Sequence, residues 1–449
     1  MKKIILPYLI LTSLYCFAQK TEKTVEDGIK PVGIIKNLTD SALLDVVQRQ
    51  TFRYFWDFGY PTSGLARERS NVAYDYGNEV VTTGGSGFGI MALIVADHRK
   101  WITHEQAVNR MVKIVEFLYR ADAYHGVFPH WLNGETGKTI RFGRKDDGGD
   151  LVETSYLFQG LLCARQYFSA NDQKERRIRD VINGMWGEIE WNWYTQGGRD
   201  NLYWHWSPNN GWVMNFPIRG FNECLITYVL AASGERYPVL ASVYHGGWAQ
   251  SDFFKNGKTF YGYKLPLGFD YGGPLFYSQY SFQGLDPRGL KDEYADYWEQ
   301  NVNHTLINRA YCIDNPKKFK GYGENCWGLT ASDNFEGYNA HSPTNDLGVI
   351  TPTAALSAFP YSPKYSMQAL RHFYYDLGDK IWGDYGFTDA FSESHNWYGK
   401  SYLAIDQGPI IVMIENYRSG LLWKLFMSCP EVQHGLKKLD FQSPAFAKN

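Results

Sequence analysis

The chain has 449 residues, with 45 Lys+Arg against 47 Asp+Glu, and 44% of it is hydrophobic. The near-zero charge balance argues against a broad basic surface and so against nucleic acid as a partner. The apolar content is enough for a large core and excludes disorder over most of the length. Aromatic residues are abundant at 17%, with 15 Trp, 33 Tyr and 27 Phe. Such rings fill cores, and their flat faces also stack on sugars.

Residues 1–18 read as a secretory leader. Lys2 and Lys3 precede an apolar run from Ile4 to Leu14, and Cys16-Phe17-Ala18 resembles a small-x-small cleavage site. Tyr15 and Ser13 before Cys16 do not fit a lipoprotein signal. Cleavage after Ala18 leaves 43 basic against 47 acidic residues, a balance of −4. No later apolar run reaches the roughly 18 residues of a membrane span, so a periplasmic or secreted protein is expected. Residues 19–36 read as a polar lead-in, and 37–449 as one domain.

Leu38 to Phe58 is the first expected outer helix. Six segments then share a Gly-, Pro- or Asp-rich turn followed by an apolar helical run. They start at Gly84, Asp150, Arg219, Gly272, Asn345 and Asp406, about 64 residues apart on average. That interval is too long for ordinary solenoid repeats and suits a helix pair with two loops. Amphipathic stretches lie between them: Ala107 to Leu118, Lys174 to Trp191, and Leu290 to Ile307. Apolar inner helices alternating with amphipathic outer ones give an all-α fold, an (α/α)6 toroid. The loops before the inner helices are rich in Trp, Tyr, Asp and Gly, and line one mouth.

Asp146, Asp150 and Glu153 form the densest acidic group. The i,i+3 spacing puts Asp150 and Glu153 on one helix face, and Gly148-Gly149 let Asp146 fold back toward them. Asp150 and Glu153 also fit a capping box with Asp in place of Ser or Thr. Asp146 and the neighbouring Arg141 and Arg144 exceed what a cap needs. Glu223 heads an apolar helix behind Trp204-His205-Trp206 and Trp212. It is placed either for an Arg219–Glu223 ion pair or, among aromatics, as a carboxyl of raised pKa suited to general-acid work. Asp406 reads as an N-cap of the last inner helix or a cleft residue, and Glu415 as a partner of Arg418. Two carboxyl groups between aromatic walls are the equipment of glycoside hydrolysis. Trp131, Trp204, Trp206, Trp212, Tyr322, Trp327, Trp382 and Trp397 are the candidate stacking surfaces.

Other chemistries fit less well. Gly84 to Gly89 lacks GxGxxG spacing, Leu132 occupies the first glycine of a would-be P-loop ending at Gly137-Lys138-Thr139, and no GxSxG is present. There is no CxxC or HExxH, so neither metal nor cofactor is expected. Five cysteines remain after the leader. Cys312–Cys326 is the expected disulfide by proximity, and Cys163 and Cys224 are expected as buried thiols.

Several segments, in one order along residues 40–427, resemble the glucoamylase-like proteins of glycoside hydrolase family 144. They are Thr82 to Gly89, Gly126 to Trp131, Asp146 to Glu153, Trp204 to Pro208, Asn215 to Glu223, and Ala404 to Pro409. The resemblance implies the (α/α)6 toroid and inverting hydrolysis of β-1,2-glucan, either within the chain or by release of sophorose from an end. It matches Asp146, Asp150 and Glu153 to the family's acidic trio, and Glu223 to the acid after Arg-Gly-Phe-Asn. One position departs: Gln279 stands where the family pattern has His before Tyr280-Ser281-Phe282. Glu223 is then the expected general acid, with the base among Asp146, Asp150 and Glu153. The expected substrate contacts are His130, Trp131, Arg144, Trp204, His205, Trp206, Trp212, Arg219, Tyr280, Trp327, Trp382 and Asp406. A monomer with a β-glucan or oligosaccharide substrate is expected. The alternatives are a polysaccharide lyase using Tyr280 with His130 or His205, a glycan-binding protein without catalysis, and a phosphorylase.

Overall fold

The computed structural model describes residues 29–70 and 77–446. The expected leader lies outside them. Thirteen α-helices are described: α1 Asp40–Trp56, α2 Thr83–His98, α3 His104–Leu118, α4 Leu151–Tyr167, α5 Gln173–Gly187, α6 Leu225–Ser233, α7 Tyr297–Asp314, α8 Pro352–Leu356, α9 Pro363–Arg371, α10 Gly378–Ile381, α11 Ala404–Arg418, α12 Leu421–Met427 and α13 Pro430–Lys438.

The inner ring closes through six segments, as the repeat predicts. α2 packs on α4, and α4 on α6. The Ile226 amide, at the start of α6, donates to Ser281 Oγ at 3.0 Å, joining α6 to the fourth segment. Gln279 Nε2 donates to the Ala354 carbonyl at 2.8 Å, joining the fourth to α8. Thr353 Oγ1 donates to the Asp406 carbonyl at 2.8 Å, joining α8 to α11, which packs back on α2. The result is an (α/α)6 toroid. Inner helices are buried almost all round, whereas outer helices such as α3 and α5 bury one stripe.

The glycines of the first segment have a packing reason. A Cβ on Gly87 would stand 2.1 Å from the Tyr156 carbonyl oxygen, and one on Gly160 would stand 2.2 Å from the Gly87 carbonyl oxygen. The backbones of α2 and α4 therefore touch, which only glycine permits there.

The outer helices begin where side chains cap them. Thr103 and Gln106 form a reciprocal capping box at α3, and Asp172 caps α5. Asp296 caps α7 through the Trp298 and Glu299 amides, so this helix starts at Tyr297 and not at Leu290. The inner ring is also less regular than the repeat suggests. Its fourth member is two 3₁₀ turns, Leu275–Ser278 and Ser281–Gln283, and α8 has five residues. Gly272, Gly273 and Pro274 interrupt helical propagation before the former.

Part of the lead-in is fastened to the ring. The Val32 amide donates to Gln50 Oε1 at 3.0 Å, and Trp382 Nε1 donates to the Val32 carbonyl at 3.0 Å. Cys163, Cys224, Cys312, Cys326 and Cys429 are all buried free thiols, so the expected Cys312–Cys326 bridge is not formed. Among the described residues no helix is long and apolar enough to cross a membrane.

Short strands hold the mouth loops. β1 (Val80–Thr82), β2 (Trp131–Asn133) and β3 (Thr139–Ile140) form an antiparallel sheet, and β1 runs directly into α2. β4 (Gly149–Asp150) pairs with β5 (His205–Trp206) and runs into α4. These pairings bring the acidic segment and the Trp204-His205-Trp206 loop together.

Candidate active site

α4 starts where it does because Asp150 caps it. Asp150 Oδ1 accepts the Val152 amide at 3.0 Å and the Glu153 amide at 2.9 Å. Its other oxygen accepts His130 Nδ1 at 2.8 Å and Trp204 Nε1 at 3.2 Å. The cap and the site are therefore the same residue. Glu153 does not turn back to complete a capping box. Its Oε2 accepts the Gly84 amide at 2.7 Å, across the ring at the head of α2. A Cβ on Gly84 would sit 2.5 Å from that oxygen, so glycine is required for this contact.

Electrostatics follow from burial and crowding. Burial pushes the Glu153 carboxyl up to about 7, and the charges of Asp150 and Asp146 add to this against the opposing pull of His130 and the Gly84 amide. His130 moves the other way from what burial alone would do. The charge of Glu153, the bond to Asp150 and the charges of Asp150 and Asp146 outweigh desolvation and raise it to about 9. It is thus a cation at neutral pH, and its ring stacks on Phe142 with centroids 3.9 Å apart. His205 Nε2 lies behind Asp146, 3.2 Å from its Oδ1, and accepts the Gly148 amide at 3.3 Å.

Glu223 stands in the turn before α6. Its backbone carbonyl accepts Ser281 Oγ, fixing the turn, while its Oε2 is buried with no hydrogen-bond partner among the described residues. Burial raises this carboxyl to about 7, with smaller contributions from Glu153 and Asp150. A buried carboxyl of raised pKa with one oxygen free of hydrogen bonds among the described residues has the chemistry of a proton donor. The alternative Arg219–Glu223 ion pair is not formed: Arg219 is exposed, and Glu223 has no cationic partner among the described residues.

Asp146, Asp150, Glu153 and Glu223 all line one cleft of about 530 Å³. Trp131, Phe142, Trp204 and Phe216 form one wall, and Trp204 stacks on Phe216 at 5.4 Å. Phe276, Tyr280 and Tyr338 contribute elsewhere, and Glu68 and Arg69 also border it. An open cleft with aromatic walls and convergent carboxyls suits a sugar chain.

Comparison with known proteins agrees with this geometry. Residues 215–430 match a family model described as "Putative glucoamylase". A Bacteroides uniformis structure of the same description is 61% identical, with a TM-score of 0.90, covering 92% of this chain and 100% of the other. An endo-β-1,2-glucanase from Chitinophaga pinensis, in complex with sophorotriose and glucose, is 58% identical with a TM-score of 0.88 over 91% of this chain and 100% of that one. The chain belongs to the glucoamylase-like family, glycoside hydrolase family 144. An exo β-1,2-glucooligosaccharide sophorohydrolase from Parabacteroides distasonis is 47% identical over 90% of this family 144 chain, which spans 58% of that protein's length.

Several expected contacts of this family 144 chain lie elsewhere. Trp206 packs edge-on to His125 and Trp193, and Trp212 against Trp193, Tyr194 and Tyr203, behind the cleft wall. Trp327 is fully buried in the second core cluster. Trp382 packs on Tyr374 and Phe387 beside the lead-in. Tyr322 donates to Asp346, and Trp397 sits in a hairpin opposite Ser392. Arg144 and Arg219 are exposed and do not line the cleft. His205 is buried behind Asp146 and acts on the cleft only through it. Gln279 is spent on the ring link to Ala354, so it is no subsite residue.

Asp406 is neither an N-cap nor a cleft wall. α11 begins two residues earlier, with Leu403 at the cap position. Asp406 faces Asp389, and burial raises both carboxyls, Asp406 to about 7. Asp389 Oδ2 accepts the Asp333 amide at 2.7 Å, and Asp333 pairs with Arg69 at 2.8 Å. Glu415 pairs with Arg99 at 2.8 Å, not with Arg418.

Glu68, Arg69, Phe142, Tyr156, Phe216, Phe276 and Tyr338 also line the cleft and were not expected from sequence. Phe142 and Phe216, each 51% exposed, carried a usable signal. Large aromatics in polar loops next to the acidic and Trp-rich segments were open to the same argument as Trp131.

Proposed function

We propose that this chain is an inverting glycoside hydrolase that cleaves β-1,2-glucan within the chain. The observation that supports it most is the buried, unpartnered Glu223 carboxyl sharing an aromatic-walled cleft with Asp146, Asp150 and Glu153. Internal cleavage is favoured over release from an end by the higher identity, over the relative's full length, to the endo-acting relative.

Glu223, protonated through burial, gives its proton to the glycosidic oxygen as the C–O bond breaks, and the leaving sugar departs as an alcohol. Water attacks the anomeric carbon from the opposite face and gives up its proton to a carboxylate base. Asp146 suits that role best. Asp150 has both oxygens occupied by the helix cap, His130 and Trp204. Glu153 is held by Gly84 and raised to about 7. Asp146 has one oxygen near His205 and is bordered by the cleft. Asp150 and the imidazolium of His130 then position the group, and the aromatic wall stacks the sugars.

The test is incubation with linear β-1,2-glucan and resolution of products by length, with the anomer of the new end followed by NMR. A ladder of oligosaccharides with inverted configuration is expected. Sophorose alone from the first time point would reject internal cleavage, and binding without products would reject catalysis. Unsaturated products absorbing in the near ultraviolet would indicate the lyase, and turnover only with phosphate the phosphorylase. Residues 1–18 support export, and N-terminal sequencing of the secreted protein should begin at Gln19.

A further inference from the structure

Away from the cleft, three side chains of metal-ligand type converge. Cys326 ends the turn before Trp327, His372 follows α9, and Glu393 follows the short strand Phe391–Ser392. One ligand atom from each lies within 4.8 Å of the other two. None of the three lines the glucan cleft.

Their surroundings separate them from a chance cluster. Cys326 is 2% exposed, and its sulfur makes no disulfide. The Glu393 carboxylate has no hydrogen bond or ion pair among the described residues, although its charge is felt by the Cys326 thiol and by Lys380. Among the described residues, His372 hydrogen-bonds at one ring nitrogen only. Its Nδ1 lies 2.8 Å from Asp376 Oδ2, which leaves Nε2 as the free, lone-pair-bearing nitrogen. A carboxylate on the far side of a histidine is the usual arrangement behind a metal-bound imidazole, where it fixes the tautomer and increases basicity.

We propose that Cys326, His372 and Glu393 bind one zinc-class divalent cation, with Asp376 orienting His372. One sulfur, one nitrogen and one oxygen donor match the preferences of Zn²⁺, with solvent in the fourth position. The thiol loses its proton to solvent on binding. Bonds of about 2.0–2.3 Å require the donors to close up by roughly 1 Å, a movement open to the half-buried His372 and Glu393 side chains. The ion would tie together three segments: the turn that leads to the hairpin Ala331–Asn334/Gly337–Ala340, the end of α9, and the turn after Phe391–Ser392. Tyr338 of that hairpin borders the cleft, so the site would brace one wall at a distance.

The test is titration of the chelator-treated full chain with Co²⁺ and Zn²⁺, using calorimetry and the near-ultraviolet thiolate-to-cobalt charge-transfer band. One ion per chain is expected, with a sulfur band that Zn²⁺ displaces. Cys326→Ser should abolish the band. Glu393→Gln, which keeps the side chain's size, should weaken Co²⁺ binding at least 10-fold while the band remains. Absence of saturable binding by the wild type would overturn the site. So would a band that survives in Cys326→Ser, or an affinity unchanged by Glu393→Gln.

Discussion

Two groups of buried carboxyls flank the centre of the toroid, and they have different fates. Asp146, Asp150, Glu153 and Glu223 open onto the cleft. Asp389 and Asp406 are buried without lining it and are tied through Asp333 to Arg69. Burial raises Glu223 and Asp406 alike to about 7. A raised pKa therefore does not identify the acid. Position separates the two: Glu223 lines the cleft and Asp406 does not.

Neutralising each acid without changing its shape tests the distinction. Glu223→Gln should lower turnover by about 1,000-fold, within the range for loss of a general acid. It should also leave the fold intact, because a neutral amide suits a site that already prefers the neutral form. Next in size is Gly84→Ala. The new Cβ would collide with Glu153 Oε2, and turnover should fall about 100-fold through misplacement of the acidic group. Circular dichroism and kinetics on the same preparation separate this from unfolding.

The aromatic wall gives a smaller effect. Phe216→Ala should raise KM about 10-fold with little change in kcat, since stacking holds ground state and transition state alike. Trp382→Ala, beside the lead-in, should leave KM unchanged and lower Tm instead.

Asp406→Asn has the smallest expected effect on rate, less than 10-fold, and a distinct effect on stability. Asp406 ionises near 3.8 when unfolded and near 7 when folded. The folded state thus holds the proton more tightly, and the stability this gives is full below pH 4 and lost as pH rises to about 7. Asp406→Asn should flatten the fall in Tm across that window. Glu223→Gln should do likewise for the same reason, while differing sharply in activity. The pH profile carries the same sign. With Glu223 as the proposed acid, kcat/KM should decline above about pH 7.

Much of the ring was legible because burial writes itself into sequence. The starts at Gly84, Asp150 and Asp406 and the amphipathic α3 and α5 stand within a few residues of their expected positions. The fourth and fifth inner segments were legible as apolar runs but not as 3₁₀ turns and a short helix, since their shape is set by Gly272-Gly273-Pro274 and by links such as Gln279 to Ala354. Asp146, Asp150 and Glu153 were legible from spacing, because β4 and the cap of α4 are local, and Glu223 from its place at the head of an apolar helix behind a Trp-rich loop. The aromatic wall was only half legible. Trp131 and Trp204 reach the cleft, whereas Trp206, two residues from Trp204, lies behind the cleft wall against His125 and Trp193, and Trp327 sinks into the core. Composition does not encode which face a loop tryptophan presents. The Asp389–Asp406 contact joins a loop residue to one in the first turn of α11 and left no trace in either segment.

The most direct measurement is the rate of new reducing ends from linear β-1,2-glucan for the wild type and Glu223→Gln, alongside their thermal unfolding near pH 7. The account predicts rapid release by the wild type, almost none by the variant, and a variant Tm equal to or above the wild type. Comparable release by both proteins would contradict the assignment of Glu223 as the acid.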